Sequence, residues 1–230
     1  MKAAAIVAAA GAGLRMKNET RKQYLVLAGQ PVLARSLNLF IEYPGFETVI
    51  AVIPPGEEDA VKKLIGPFCP ADMVKLVAGG KTRQESVEHG LALVPEWVDL
   101  VCIHDAARPL ASPALLGNLL SAAAGFGAAI PVIPVSDTIK EISDEGFVTA
   151  TPPRDKLRLV QTPQIFRRDL LKKAYELAGQ GSFEATDDAA LVEAAGYAVK
   201  TVPGEMTNLK ITTPIDLVIA VQYLKGVDKR

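Results

Sequence analysis

Ala5-Ile6-Val7-Ala8-Ala9-Ala10-Gly11-Ala12-Gly13-Leu14-Arg15-Met16, with Lys22 following shortly after, is the stretch from which the rest of the chain can be read. Its run of small and β-branched apolar residues has no solvent-facing position and predicts a buried strand. Gly11 and Gly13 let the backbone turn with its amides exposed. Successive N–H groups of this kind form an anion cradle, and Arg15 and Lys22 add two fixed cations that suit a polyphosphate. The competing reading is a plain tight turn beside two solvated surface residues. A dinucleotide fingerprint is absent, because Met16 stands where a third glycine would be required, and the Gly-x-x-x-x-Gly-Lys-Ser/Thr loop is absent too.

Outward from this loop, strand-like and helix-like segments alternate. Apolar strand candidates are Ala3–Ala9, Thr48–Ile53, Met73–Ala78, Leu100–His104 and Ala128–Pro134. Between them, helices are predicted to open at Pro31, to span Glu57–Ile65, to run from Thr82 to near Leu93, and to start at Ser112-Pro113. Such alternation predicts an α/β, Rossmann-like fold: a mostly parallel twisted sheet with helices on both faces and ligands beyond the carboxyl ends of its strands. The pattern breaks after Val135. Asp137–Ile142 and Phe147–Thr151, joined by the turn sequence Ser143-Asp144-Glu145-Gly146, predict a hairpin arm with few apolar partners of its own. A second subunit or the chain's own sheet would have to cover it. Further on, helices are expected over Arg167–Leu177, from Thr186-Asp187-Asp188 through Ala195, and from Thr213-Pro214 to near Leu224, with a strand at Tyr197–Val202.

The bulk numbers set limits on function. At 230 residues and 24.4 kDa the chain suits a single domain, 1–230, with the arm at about 136–156. The 25 basic residues nearly cancel the 26 acidic ones, which argues against a general nucleic-acid or membrane surface and confines anion binding to a local cluster. No apolar stretch reaches the roughly 20 residues of a membrane span. Cys69 and Cys102 lack metal-ligand spacing and are expected to be reduced and structural, as in a cytoplasmic protein.

Three more segments carry candidate chemistry. Gly79-Gly80-Lys81-Thr82-Arg83 follows a strand; its glycines allow a flat ligand near the backbone, and Ser86 adds a hydrogen-bonding hydroxyl. Lys81 and Arg83 are either ligand contacts or helix-surface charges. His104-Asp105-Ala106-Ala107-Arg108-Pro109 ends the fourth strand. There Asp105 can orient a hydroxyl or a Mg²⁺-bound water and Arg108 can fork onto a phosphate, unless the two simply pair with each other. Weaker signals are Arg154, Thr162 within Gln161-Thr162-Pro163-Gln164, Thr186, and Lys210 within Asn208-Leu209-Lys210-Ile211-Thr212. Neither His89 nor His104 is assigned a catalytic role. No nucleophile–base pair is evident, an inventory that suits phosphoryl or nucleotidyl transfer, where positioning and charge dominate.

Taken in order, these motifs, together with Lys22-Gln23-Tyr24-Leu25, Asp137-Thr138-Ile139-Lys140 and Thr186-Asp187-Asp188-Ala189, resemble the 2-C-methyl-D-erythritol 4-phosphate cytidylyltransferases of the non-mevalonate isoprenoid route. One departure is Arg21, where that family usually has proline. The resemblance implies transfer of CMP from CTP to methylerythritol 4-phosphate with release of pyrophosphate and with Mg²⁺ on the triphosphate. The metal's protein ligands stay open, with Asp105 as the candidate neighbour. It implies that Arg15, Lys22 and Lys210 stabilise charge at the α-phosphorus, and that Ala9, Ala10, Gly11, Ala12 and Gly13 form the triphosphate loop. Gly79, Gly80, Lys81, Arg83, Ser86 and Ala106 would serve the nucleotide. Asp105, Arg108, Thr138, Arg154, Thr162 and Thr186 would serve the methylerythritol phosphate, and the arm would build a homodimer. Rival readings are a ribitol 5-phosphate cytidylyltransferase, a nicotinamide-dependent oxidoreductase and a non-catalytic nucleotide-binding module.

Overall fold

The structure, a computed structural model, describes residues 1–11, 21–70, 72–179 and 185–227. Strand β1 (Ala3–Ala8) lies at the centre of a sheet that has eight strands among the described residues. A small hairpin of β2 (Val26–Leu27) and β3 (Gln30–Pro31) precedes helix α1 (Val32–Ile41). Then follow β4 (Phe46–Ile53), α2 (Glu58–Ile65), β5 (Val74–Ala78), α3 (Arg83–Leu91), β6 (Leu100–Asp105), α4 (Pro113–Phe126) and β7 (Ala128–Pro134). Strand β1 pairs in parallel with β4 on one side and β6 on the other, and β4 pairs in parallel with β5, the edge strand.

The second half contains the arm, β8 (Glu141–Ile142) and β9 (Val148–Ala150), then β10 (Arg158–Val160) and β11 (Gln164–Arg167). Helices α5 (Arg168–Gly179) and α6 (Asp188–Ala194), strand β12 (Lys200–Pro203) and helix α7 (Pro214–Val227) complete the chain. The sequence pattern did not predict β11, which inserts antiparallel between β6 and β7. Four residues bounded by a proline and a helix are too short to show a period. β12 runs parallel to β7 along its other edge. The arm pairs over fewer residues than its β-rich composition suggests, Glu141 with Ala150 and Ile142 with Val148.

Alternation along β1 divides the core. Ala3, Ala5, Val7 and Ala9 pack on α1, α2 and α4, whereas Ala4 and Ile6 pack on α3, α5 and α6. Start signals work as the residue types dictate. Thr82 and Glu85 form a reciprocal capping box on α3, and Ser112 caps α4 with Pro113 behind it. Gly127, at φ 88°, closes α4 in the left-handed region. At α6 the cap is Asp187, whose carboxylate accepts from the Ala190 N–H, and Thr186 stands one residue outside. Helix α7 rests on the β2–β3 hairpin through a smaller cluster of Leu27, Val32, Ile211 and Ala220.

Candidate active site

Register brings three loops to one level at the carboxyl edge of the sheet. Ala8 lies opposite both Val52 and Asp105, and Ile53 opposite Ala78. The chain then continues from β1 into Ala9–Gly11, from β5 into Gly79-Gly80, and from β6 into Ala106–Arg108. Backbone bonds from Ala9 to Val52, Gly79 to Ile53 and Ala106 to Ala8 hold these exits together. Between them is a cleft of about 340 Å³, at the lower end of the size range of small-molecule sites.

The first loop contributes Ala9, Ala10 and Gly11, with Lys22 beside them. Gln23 braces this wall: buried, it donates from Nε2 to the Ala9 carbonyl at 2.6 Å and to the Gly11 carbonyl at 3.2 Å. Those carbonyls are thereby held on one side of the loop. The second loop contributes Gly80, Lys81, Arg83 and Ser86. The Ser86 hydroxyl donates to the Thr82 carbonyl at 2.8 Å and accepts the Gly80 N–H at 3.0 Å, so one of its lone pairs is left for a ligand. Gly79 lies behind, where a Cβ would collide with the Ala10 Cβ and come within 2.8 Å of the Ser86 hydroxyl. The third loop contributes Asp105 and Ala106, and Lys210 reaches in from the segment before α7, fixed by an Ile211 N–H bond to the Ala107 carbonyl.

Asp105 is the hub. Its Oδ2 lies 2.7 Å from Lys210 Nζ and 4.0 Å from Arg108 Nε, and its Oδ1 lies 3.7 Å from Arg83 Nε. Burial alone would push its carboxyl up, but Lys210, Arg83 and Arg108 outweigh burial and hold it down at about 2. Arg83 also donates through Nη2 to Asp188 Oδ2 at 2.6 Å. Burial opposes its charge, yet Asp188 and Asp105 together raise its pKa. Behind Asp105 sits His104, fully buried and edge-on to Phe40. Its Nε2 lies 3.0 Å from the Arg108 carbonyl, which can only accept, so Nε2 carries the proton. Nδ1 then accepts from the Thr162 hydroxyl at 3.1 Å, and that oxygen in turn accepts the Asp105 N–H at 3.0 Å. Burial drives the His104 pKa down to about 4, the net of opposing pulls from Asp105 and the cations. Arg108 donates through Nη1 to the Asn208 carbonyl at 2.8 Å, but its buried Nε has no hydrogen-bond partner.

Among the described residues the charged lining of the cleft is Lys22, Lys81, Arg83 and Lys210 against Asp105 alone. That excess belongs to a polyanion. The same cleft gathers the predicted residues of the nucleotide loops, while Thr162 and Arg108 flank it through Asp105 and His104. Ala12, Gly13 and Arg15 lie outside the described residues. Thr138 and Arg154 are on the arm and do not line the cleft; Arg154 donates through Nη1 to the Ser136 carbonyl at 2.9 Å. Thr186 is exposed ahead of α6. Sequence reasoning gave no individual role to Gln23, Tyr175 or Asp188, since nothing local distinguishes a glutamine that braces a loop from one in solvent.

A family model described as 2-C-methyl-D-erythritol 4-phosphate cytidylyltransferase matches residues 3–226. The chain belongs to this family. It is 45% identical over 223 residues to the 2-C-methyl-D-erythritol 4-phosphate cytidylyltransferase of Desulforamulus reducens, covering 96% of this chain and 95% of that one. The crystal structure of the Thermus thermophilus enzyme of the same name is similar with a TM-score of 0.81 and 37% identity, covering 98% of this chain and all of the other. That of 4-diphosphocytidyl-2C-methyl-D-erythritol synthase from Anaerococcus prevotii gives a TM-score of 0.84 at 33% identity, with 97% and 98% covered. Cytidylyltransferases of this family are nucleotidyltransferases that work with a divalent metal. Among the described residues no three His, Cys, Asp or Glu side chains gather into a metal cage, and Asp105 is the one carboxylate lining the cleft. Such a donor set fits an ion held mainly by nucleotide phosphates and water.

Proposed function

We propose that the chain transfers the cytidylyl group of CTP to 2-C-methyl-D-erythritol 4-phosphate, as its family membership carries, and that the cleft described above is where it does so. The observation that carries the site is the cationic lining opposed by one carboxylate. In the reaction a phosphate oxygen of the acceptor forms a bond to the α-phosphorus of CTP, the bond to the bridging oxygen breaks, and pyrophosphate leaves. The attacking oxygen is already anionic at neutral pH, so no general base is required. The work left to the protein is to align two anions and to stabilise the charge that builds between them.

Lys22 and Lys210, with Arg15, supply that positive charge. The Ala9–Gly13 loop cradles the triphosphate, and Mg²⁺ held by its phosphates, with Asp105 nearby, would neutralise the departing pyrophosphate. Gly80, Ala106 and Ser86 take the cytosine and exclude the larger purines by shape, with Lys81 beside them. Arg108 serves the acceptor's phosphate, and Asp105, Thr162 and Thr186 take the polyol. The arm carries Ile142, Phe147 and Val148 at 66%, 74% and 60% exposure, too much apolar surface for a hairpin in water. A second copy of the chain covers it, and Thr138 and Arg154 of each arm then serve the other subunit's acceptor. The chain forms one domain apart from this arm. Among the described residues no helix is long and apolar enough to cross a membrane, and both cysteines are free and buried, which suits a cytoplasmic setting.

Incubation with CTP, Mg²⁺ and either methylerythritol 4-phosphate or ribitol 5-phosphate, followed by pyrophosphate release, tests the reading. Preferential turnover of ribitol 5-phosphate would overturn it.

A further inference from the structure

Asp188 is the buried charge that the reaction as described does not use. Its side chain is completely inaccessible, it opens α6, and both oxygens are engaged: Oδ1 accepts from the Tyr175 hydroxyl of α5 at 2.6 Å, and Oδ2 from Arg83 Nη2 of α3 at 2.6 Å. A carboxylate this deep cannot touch a substrate, and burying it is tolerable only because both partners are present. Among the described residues Arg83 is its one side-chain link to the cleft. The planar guanidinium faces Asp188 with one nitrogen and Asp105 Oδ1 with another. The remaining cations, Lys210 and Arg108, both pull on Asp105 Oδ2. Among the described residues Arg83 is the one charged partner of Oδ1; without it the carboxylate is held through Oδ2 alone and can pivot about that contact.

We propose that Asp188, with Tyr175 behind it, is a positioning residue for the acceptor half of the reaction, setting the rotation of Asp105 through Arg83. The inference rests on the reading of Asp105 as an acceptor contact. It assigns Arg83 to Asp105 rather than to the nucleotide, since its guanidinium is committed to two carboxylates. The nearby Asp187–Gln164 bond, 2.8 Å long, pins the same end of α6 to β11, so Asp188 is not needed merely to dock the helix.

The test uses the full chain, with steady-state kinetics for methylerythritol 4-phosphate and calorimetric CTP binding. Asp188→Asn keeps the shape and removes the charge; Arg83→Lys keeps the charge and removes the planar fork. Each is expected to raise the KM for the acceptor about tenfold or more with a much smaller change in the Kd for CTP. The double variant is expected to be no worse than the more damaging single one, because both act along one path. Additive losses, equal losses in CTP affinity, or an unchanged acceptor KM would each overturn the proposal. If Asp188→Asn fails to fold, the partly exposed Arg83→Lys decides alone by the same split. No turnover by the wild-type chain would remove the acceptor reading and this inference with it, whereas wild-type turnover with an unsplit variant response removes the inference only.

Discussion

Lys22 and His104 show how differently two single side chains serve one cleft. Lys22 stands on its wall beside the glycine loop, and under the proposed function its charge acts chiefly while the α-phosphorus is five-coordinate. Lys22→Ala is therefore expected to lower kcat by about 10²–10³ with a much smaller change in CTP affinity, the cost of removing one preorganised donor. Rapid-quench kinetics beside calorimetry would measure both, and a change confined to KM would mean that the lysine contributes uniform binding. His104 works neutral and out of sight. Its folded pKa, about 4, is below the ordinary value, so between the two the unfolded chain binds the extra proton. Stability is then fully present above about pH 6.5 and declines as pH falls toward 4. On passing from pH 7.5 to 5 this residue should account for roughly 2 kcal/mol of lost stability. Denaturant melts of the wild type and His104→Gln at both values should show a shallower pH dependence in the variant.

Among elements, the strand exits are the least forgiving. At Gly79 a methyl group would collide with Ala10 and Ser86, which belong to two walls of the cleft at once. Gly79→Ala should cost about 1–3 kcal/mol and weaken CTP binding together, read by thermal melts and calorimetry. Helix starts carry ordinary costs: Ser112→Ala removes the cap of α4 and a bond to Glu205 and should destabilise by about 1 kcal/mol without altering turnover. The elements with a strong local signature are those the chain announces. The Ala3–Ala8 run, the Thr82 and Ser112 caps and the glycine pairs follow from residue type alone. What stayed hidden depends on distant partners. β11 is a strand only because β6 and β7 leave a gap of one strand between them, and Tyr175 and Asp188 meet only after α5 and α6 fold onto α3. In the site, the three loops were legible as glycines and charges after strands. Gln23's brace and the sharing of Asp105 by three cations were not, because each requires chain ends brought together across the sheet.

At the scale of the whole molecule, the arm is the part that a lone chain leaves unfinished. If the arm pairs two chains as proposed, Phe147→Asp with Val148→Asp should leave a monomer in sedimentation velocity where the wild type is a dimer, and should raise the acceptor KM as Thr138 and Arg154 lose their neighbour. A variant that remains dimeric would place the contact elsewhere. The near balance of 25 basic and 26 acidic residues hides a local excess: among the described residues the cleft is lined by four cations and one carboxylate. Yet that lining is quiet at rest, because Lys210 leans on Asp105 at 2.7 Å. The resting cleft carries its own counter-ion. A stray chloride or sulfate must compete with a tethered carboxylate for the lysine, whereas, under the proposed function, a polyol phosphate arriving beside a nucleotide would give both members of the pair something better to hold.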